Sequence, residues 1–135
     1  MPRQKILVVD DEPDVVAFLE RILVAEQFEV VSAYDGISAI DIAAAEKPDV
    51  VLLDIMMPMM SGYEVCEQLK ADPVTQHIPI VCLTSAVTPD ARVRSLQVGA
   101  ADVLTKPILP AELVAQLRRH IAQANVAPPA QDLEA

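Results

Sequence analysis

Five short apolar runs, each followed by a stretch with helical periodicity, leave this chain few folds to choose from. Lys5–Val9 (KILVV) reads as a strand buried on both faces. Residues 13–26 place Val15, Phe18, Leu19, Ile22 and Leu23 at helical spacing, with Pro13 where a first helical turn tolerates it. Glu29–Ala33 is a second strand. Asp35-Gly36 marks a turn into a helix over 37–46, whose Ile40, Ala43 and Ala44 share a face. Pro48 ends that helix, and 49–53 (DVVLL) is the most strand-like run of all. A methionine-rich loop leads to a helix over 62–70, and 71–78 is a polar surface loop. Pro79 opens a fourth strand, a position where proline is tolerated. Thr88-Pro89 caps a helix that stops at Gly99. Residues 101–104 form a short fifth strand, and Pro110 opens a last helix with Leu113, Val114, Leu117 and Ile121 on one face.

Strict alternation of strand and helix implies a parallel sheet with helices on both faces, and right-handed crossovers leave few ways to order it. The expected fold is α/β: a doubly wound (βα)5 parallel sheet, flavodoxin-like, with strand order 2-1-3-4-5. The 135 residues suffice for one such core. Periodicity stops near Ala122, so 3–123 is read as the domain and 124–135, with its adjacent prolines, as a flexible tail or linker stub.

Composition narrows the function. Ten basic against twenty acidic residues give a net charge of −10, which disfavours direct contact with nucleic acid and suits a cation or a basic partner. No apolar run approaches the roughly 18 residues of a membrane span. The N-terminus lacks the layout of a signal peptide, so no membrane role and a cytoplasmic location are expected. Cys66 and Cys82 fit no metal-binding spacing and read as buried free thiols. The first βα turn is DDEPD, not a glycine-rich phosphate loop.

Ligands of open α/β sheets bind beyond the carboxyl ends of the strands. Strand one ends in Asp10-Asp11, strand three in Asp54, strand four in Thr84-Ser85 and strand five in Lys106-Pro107. In the expected order these strands are neighbours. Each residue alone is ordinary turn chemistry, but together they bring three carboxylates, a hydroxyl and an ammonium to one rim. Clustered carboxylates repel, and hard oxygen ligands with room for water suit Mg²⁺. Asp54, central, is the candidate nucleophile toward phosphorus, giving an aspartyl-phosphate. Mg²⁺ and Lys106 would neutralise the transferring oxygens, and Thr84 would hydrogen-bond the phosphoryl group.

Four motifs in order, VVDDE, LLDIMMPMMSG, LTSA and LTKP, make residues 3–123 similar to the bacterial response-regulator receiver domains of two-component systems, the CheY-like superfamily. That resemblance implies Asp54 as phosphoacceptor. It implies Asp11, Asp54 and the Met56 carbonyl as direct Mg²⁺ ligands, with Asp10 acting through a water. It implies Lys106 as the phosphoryl-binding lysine, Thr84 as the switch hydroxyl, and a cis Lys106-Pro107 peptide aiming the lysine inward. The implied partners are a sensor histidine kinase or phosphotransfer protein and a downstream target. The implied state is a monomer or a phosphorylation-dependent dimer. The chain would be no enzyme beyond its own phosphorylation and slow dephosphorylation.

Departures from the family pattern carry expectations of their own. Val103 stands where relatives have an aromatic coupled to the switch threonine, and Ile108 follows Lys-Pro in place of another aromatic. No rotating ring at those positions can report phosphorylation. Met56 and Ala86, beside the phosphoryl site, cannot orient water, so self-dephosphorylation should be slow. Met57 and Met60 are expected to pack beneath the loop, with Met56 and Met59 filling gaps. His77 and His120 are expected at the surface, and the face of Arg92 and Arg94 in solvent. Two alternatives differ in class. An aspartate-dependent phosphatase needs a second acid two residues after Asp54, where Met56 stands. A phosphorylation-independent pseudo-receiver would lose an acid or the lysine, whereas this chain keeps them all.

Overall fold

A computed structural model describes residues 3–85 and 88–125. Five strands, β1 (Lys5–Val9), β2 (Glu29–Ala33), β3 (Val50–Asp54), β4 (Ile80–Thr84) and β5 (Asp102–Thr105), alternate with five helices. These are α1 (Pro13–Ala25), α2 (Gly36–Glu46), α3 (Gly62–Ala71), α4 (Pro89–Gln97) and α5 (Pro110–Asn125). The sheet is parallel throughout and ordered β2-β1-β3-β4-β5, the doubly wound flavodoxin-like arrangement.

Every residue of β3 and β4 is buried, because helices cover both faces of the central strands. One face packs β-strand residues such as Leu7, Val51 and Leu53 against Ala39 and Ala43 of α2 and Val65 and Leu69 of α3. The other packs Ile6, Val8 and Leu52 against Leu19 and Leu23 of α1 and Leu113, Leu117 and Ile121 of α5. Local chemistry starts the helices where the sequence placed them. Asp35 Oδ1 accepts from the Ser38 N–H at 2.8 Å, Ser61 and Glu64 form a capping box, and Thr88 Oγ1 accepts from Ala91 N–H at 3.0 Å.

Several expectations are corrected. Phe18 is 53 % exposed, and Val16 takes its place in the core, because the stripe α1 turns to the sheet is Val16, Leu19 and Leu23. His120 is buried, not superficial: it lies one turn after Leu117 on the inner stripe of α5, and its Nε2 donates to Asp102 Oδ2 at 2.9 Å. Met59 and Met56 fill no gap; both point to solvent, and Met59 occupies a left-handed turn at φ 68°. Met57 is buried and Met60 packs against the core, as the loop motif implied. Helix α5 continues to Asn125, three residues past the last apolar repeat. Cys66 and Cys82 are buried free thiols, and burial pushes their pKa values up to about 11 and about 12.

Candidate phosphoacceptor site

The parallel pairing of β1, β3, β4 and β5 brings four strand ends to one edge of the sheet. Asp54 is itself the last residue of β3 and pairs with Leu83 of β4, so its backbone is fixed by the ladder. Asp10 follows β1 directly, and its N–H donates to Ala33 O of β2 at 3.2 Å. Asp10 Oδ1 in turn accepts the Glu12 N–H at 3.0 Å, shaping the turn into α1. Both carboxylates are almost wholly buried, at 1 % and 5 % exposure for Asp10 and Asp54. Asp11 is half-buried at the rim.

Lys106 crosses from the other side. Its N–H donates to Thr84 O at 2.7 Å, and a cis Lys106-Pro107 peptide follows. Its Nζ lies 3.1 Å from Asp10 Oδ2 and 3.3 Å from Asp54 Oδ1, so one ammonium serves both buried acids. Thr84 is buried at the end of β4 beside this pair of strands. The Met56 N–H donates to Asp54 Oδ1 at 3.3 Å, while the Met56 side chain turns outward.

The electrostatics follow from this packing. Burial pushes the Asp54 carboxyl above the usual carboxylate range, and the Asp10 charge adds to the rise, against the pull of Lys106 and of the Met56 N–H. Burial alone would lower the pKa of Lys106, but the hydrogen bond to Asp10 and the charges of Asp54 and Asp10 outweigh it, and the ammonium is held more firmly than usual. Asp10, Asp11 and Asp54 each offer an oxygen within 4.8 Å of the others. Three hard, anionic oxygens this close fit a hard divalent cation that keeps some of its water.

Each residue named for the site from sequence thus lies at the expected rim except Ala86, which falls outside the described residues. One contributor is visible only in three dimensions. Gly62 opens α3 directly behind Asp54: a Cβ there would stand 2.5 Å from Asp54 O and 2.7 Å from Ile55 Cα. The glycine belongs to the loop motif, but nothing in the sequence says that the Asp54 backbone rests against it. Val103 is 3 % exposed in the core, so the position of the missing aromatic is filled by packing alone.

Comparison with known proteins finds relatives of this sequence and fold. A family model described as the response regulator receiver domain matches residues 6–118. Response regulator PleD of Caulobacter vibrioides is 48 % identical over 114 residues, covering 84 % of this chain and 25 % of PleD. The alkaline phosphatase synthesis transcriptional regulatory protein PhoP of Bacillus subtilis is 37 % identical over 131 residues, covering 97 % of this chain and 54 % of PhoP. The chain therefore spans a quarter to about half of these relatives. Among solved structures, the chemotaxis protein CheY4 of Vibrio cholerae superposes with a TM-score of 0.84 at 30 % identity, covering 87 % of this chain and 98 % of that one. The receiver domain of the sensor histidine kinase PA1611 of Pseudomonas aeruginosa gives 0.83 at 32 % identity over 90 % and 99 %, and its structure holds a magnesium ion in the active site cleft.

Proposed function

Because the chain belongs to the response regulator receiver domain family of two-component systems, we propose that Asp54 accepts a phosphoryl group and that the charged product switches a protein-binding surface. The observation that carries this reading is the single Lys106 ammonium set between buried Asp10 and Asp54, with Asp11 completing the acidic cluster.

The donor is a phosphohistidine on a sensor kinase or a phosphotransfer protein. An Asp54 oxygen attacks phosphorus, a P–O bond forms, and the P–N bond breaks with the electron pair leaving on the imidazole, which takes up a proton. Lys106 leaves its ion pair with Asp54 and meets a phosphoryl oxygen as a point charge, and the Thr84 hydroxyl donates to another. Asp11, Asp54 and the Met56 carbonyl, with Asp10 through a water, would hold Mg²⁺, which would supply charge neutralisation for the transferring group. With apolar Met56 beside Asp54, no side chain at that position orients water, and self-dephosphorylation is slow. The phosphoryl group adds roughly −1.5 to −2 charge. This shifts the population of the surface built by β4, β5 and their helices, where the downstream protein binds, with or without dimerisation. The location that fits this chemistry is the cytoplasm, and the net charge of −10 argues against direct nucleic-acid contact by this domain.

Intact mass after incubation with acetyl phosphate tests the reading, with and without Mg²⁺, for the natural chain and Asp54→Asn. The expected result is one added phosphoryl group that requires both Mg²⁺ and Asp54. No added mass from acetyl phosphate or from a phosphohistidine donor would leave the pseudo-receiver as the better account.

A further inference from the structure

Residues 56–60 read MMPMM, so four thioethers follow Asp54 within six positions. The fold splits them into two pairs. Met57 is buried, and Met60 packs against the core with its sulfur on the start of α2, where a Cβ at Gly36 would stand 2.7 Å from Met60 Sδ. These two fill space, the usual work of a methionine. Met56 and Met59 do not: they are 72 % and 101 % exposed. Packing accounts for half of the run and leaves the other half without a structural use.

Exposure decides which sulfur a peroxide meets first. Cys66 and Cys82 are buried, and with pKa values pushed up to about 11 and about 12 they stay protonated at neutral pH, the unreactive form. Among the described residues, the most accessible sulfurs are therefore those of Met56 and Met59. Of these two, Met56 is tied to the site. Its N–H donates to Asp54 Oδ1 at 3.3 Å, and its exposed side chain has three rotatable bonds with which to swing.

We propose that Met56 is an oxidation site, converted by a peroxide to methionine sulfoxide, and that the sulfoxide shortens the life of a phosphoryl group on Asp54. The second half rests on the phosphoacceptor reading. The Met56 sulfur attacks one peroxide oxygen, and an S–O bond forms as the O–O bond breaks. The hydroxide that leaves takes the proton of the transferred oxygen and becomes water. Sulfur is oxidised by two electrons and the peroxide is reduced. A thioether offers water only a weak acceptor, whereas the sulfoxide oxygen is a strong one on a polar side chain. It accepts a hydrogen bond from a water beside Asp54 and leaves that water's lone pair toward phosphorus. Attack breaks the bond from phosphorus to the Asp54 oxygen, the electron pair returns to the carboxylate, and inorganic phosphate leaves with the protons of the water. One hydrogen bond of ordinary net strength, made only as water attacks, is worth about fivefold in rate. Enzymatic reduction of the sulfoxide resets the side chain, so a peroxide and a phosphodonor act on one output in opposite directions.

The full chain is treated with dilute hydrogen peroxide and mapped by peptide mass. It is then labelled with acetyl phosphate and Mg²⁺, the donor is removed, and loss of the label is timed by intact mass. Oxygen should enter Met56 and Met59 before Met57, Met60 or either cysteine. The oxidised natural chain should lose its label about fivefold faster than the untreated one, and methionine sulfoxide reductase should restore the untreated rate. Each variant is compared with itself before peroxide, so oxidation at Met1, outside the described residues, falls equally on all. Met59→Leu should keep the acceleration and Met56→Leu should lose it. Oxidation of Met57 or a cysteine as fast as Met56, an oxidised chain that takes no label or loses it at the untreated rate, or an acceleration that survives Met56→Leu overturns this inference alone. An untreated natural chain that takes no label, from acetyl phosphate or from a phosphohistidine donor, overturns the phosphoacceptor reading and this inference with it.

Discussion

Replacing Asp54 with Asn should make the metal-free, unphosphorylated protein more stable at neutral pH, although it removes an ion pair. Oxygens of Asp10, Asp11 and Asp54 lie within 4.8 Å of one another. At that separation and an effective dielectric of about 20, the Asp10 charge repels Asp54 by about 3.5 kcal/mol, while Lys106 at 3.3 Å returns about 5 kcal/mol on the same scale. Burial of the charge, the largest cause of the raised Asp54 pKa, tips the balance against the ionised carboxylate. Asn keeps an acceptor for the Met56 N–H, and Lys106 keeps Asp10. Urea unfolding in EDTA, followed by circular dichroism, should show the midpoint of Asp54→Asn higher by roughly 1 M. The sign with pH follows from the raised Asp54 pKa, which burial causes first and the Asp10 charge second. The cost of the charge is present above the folded pKa. It fades as the carboxyl takes up a proton on acidification, and is gone below the unfolded value near ~3.9. The advantage of Asn should therefore shrink as pH falls. Millimolar Mg²⁺ should stabilise the natural chain more than the variant and narrow the gap. If Asp54→Asn were no more stable than the natural chain in EDTA at neutral pH, Lys106 would outweigh the carboxylate repulsion and the burial together, and the case for a cation at this cluster would lose its electrostatic basis.

Gly62→Ala should disturb the site without touching a functional group. Its Cβ would meet the Asp54 carbonyl at 2.5 Å, so the loop must shift, with a loss of about 1–3 kcal/mol in thermal unfolding and slower acetyl phosphate labelling by intact mass. Labelling at the natural rate would mean that the loop yields without moving Asp54. The phosphorylated natural chain should hold its label for minutes or longer, and Met56→Gln, which can orient water, should shorten that time several-fold in a timed mass measurement. A half-life of seconds for the natural chain would remove Met56 as the brake.

Much of the fold was legible in the residues because its signals are local. Parallel strands covered on both faces must be apolar at every position, and β3 and β4 are. Helix starts at Asp35, Ser61 and Thr88 are made by side chains that bond three residues away. Strand ends in an alternating βα chain must gather at one edge, so Asp10, Asp54, Thr84 and Lys106 could be named before any coordinates. Errors fell where the outcome depends on a distant neighbour. Phe18 and Val16 are both apolar and two positions apart, and only the angle at which α1 crosses the sheet decides which one is buried. His120 has the composition of a surface residue, but Asp102 on β5 gives its imidazole a partner and lets it be buried. Met59, expected to fill a gap, points into solvent from a left-handed backbone turn that the residue type does not announce.

The sequence by itself determined the alternation, the sheet order and the identity of the acids, hydroxyl and lysine at the rim, because each follows from periodicity along the chain and from the handedness of crossovers. Tertiary structure alone decided that one ammonium bridges Asp10 and Asp54 across three strands, that Gly62 backs Asp54, and that Arg94 reaches Tyr63. Those contacts join residues far apart in the chain through side-chain reach and ångström-scale clearance, quantities that residue spacing does not encode.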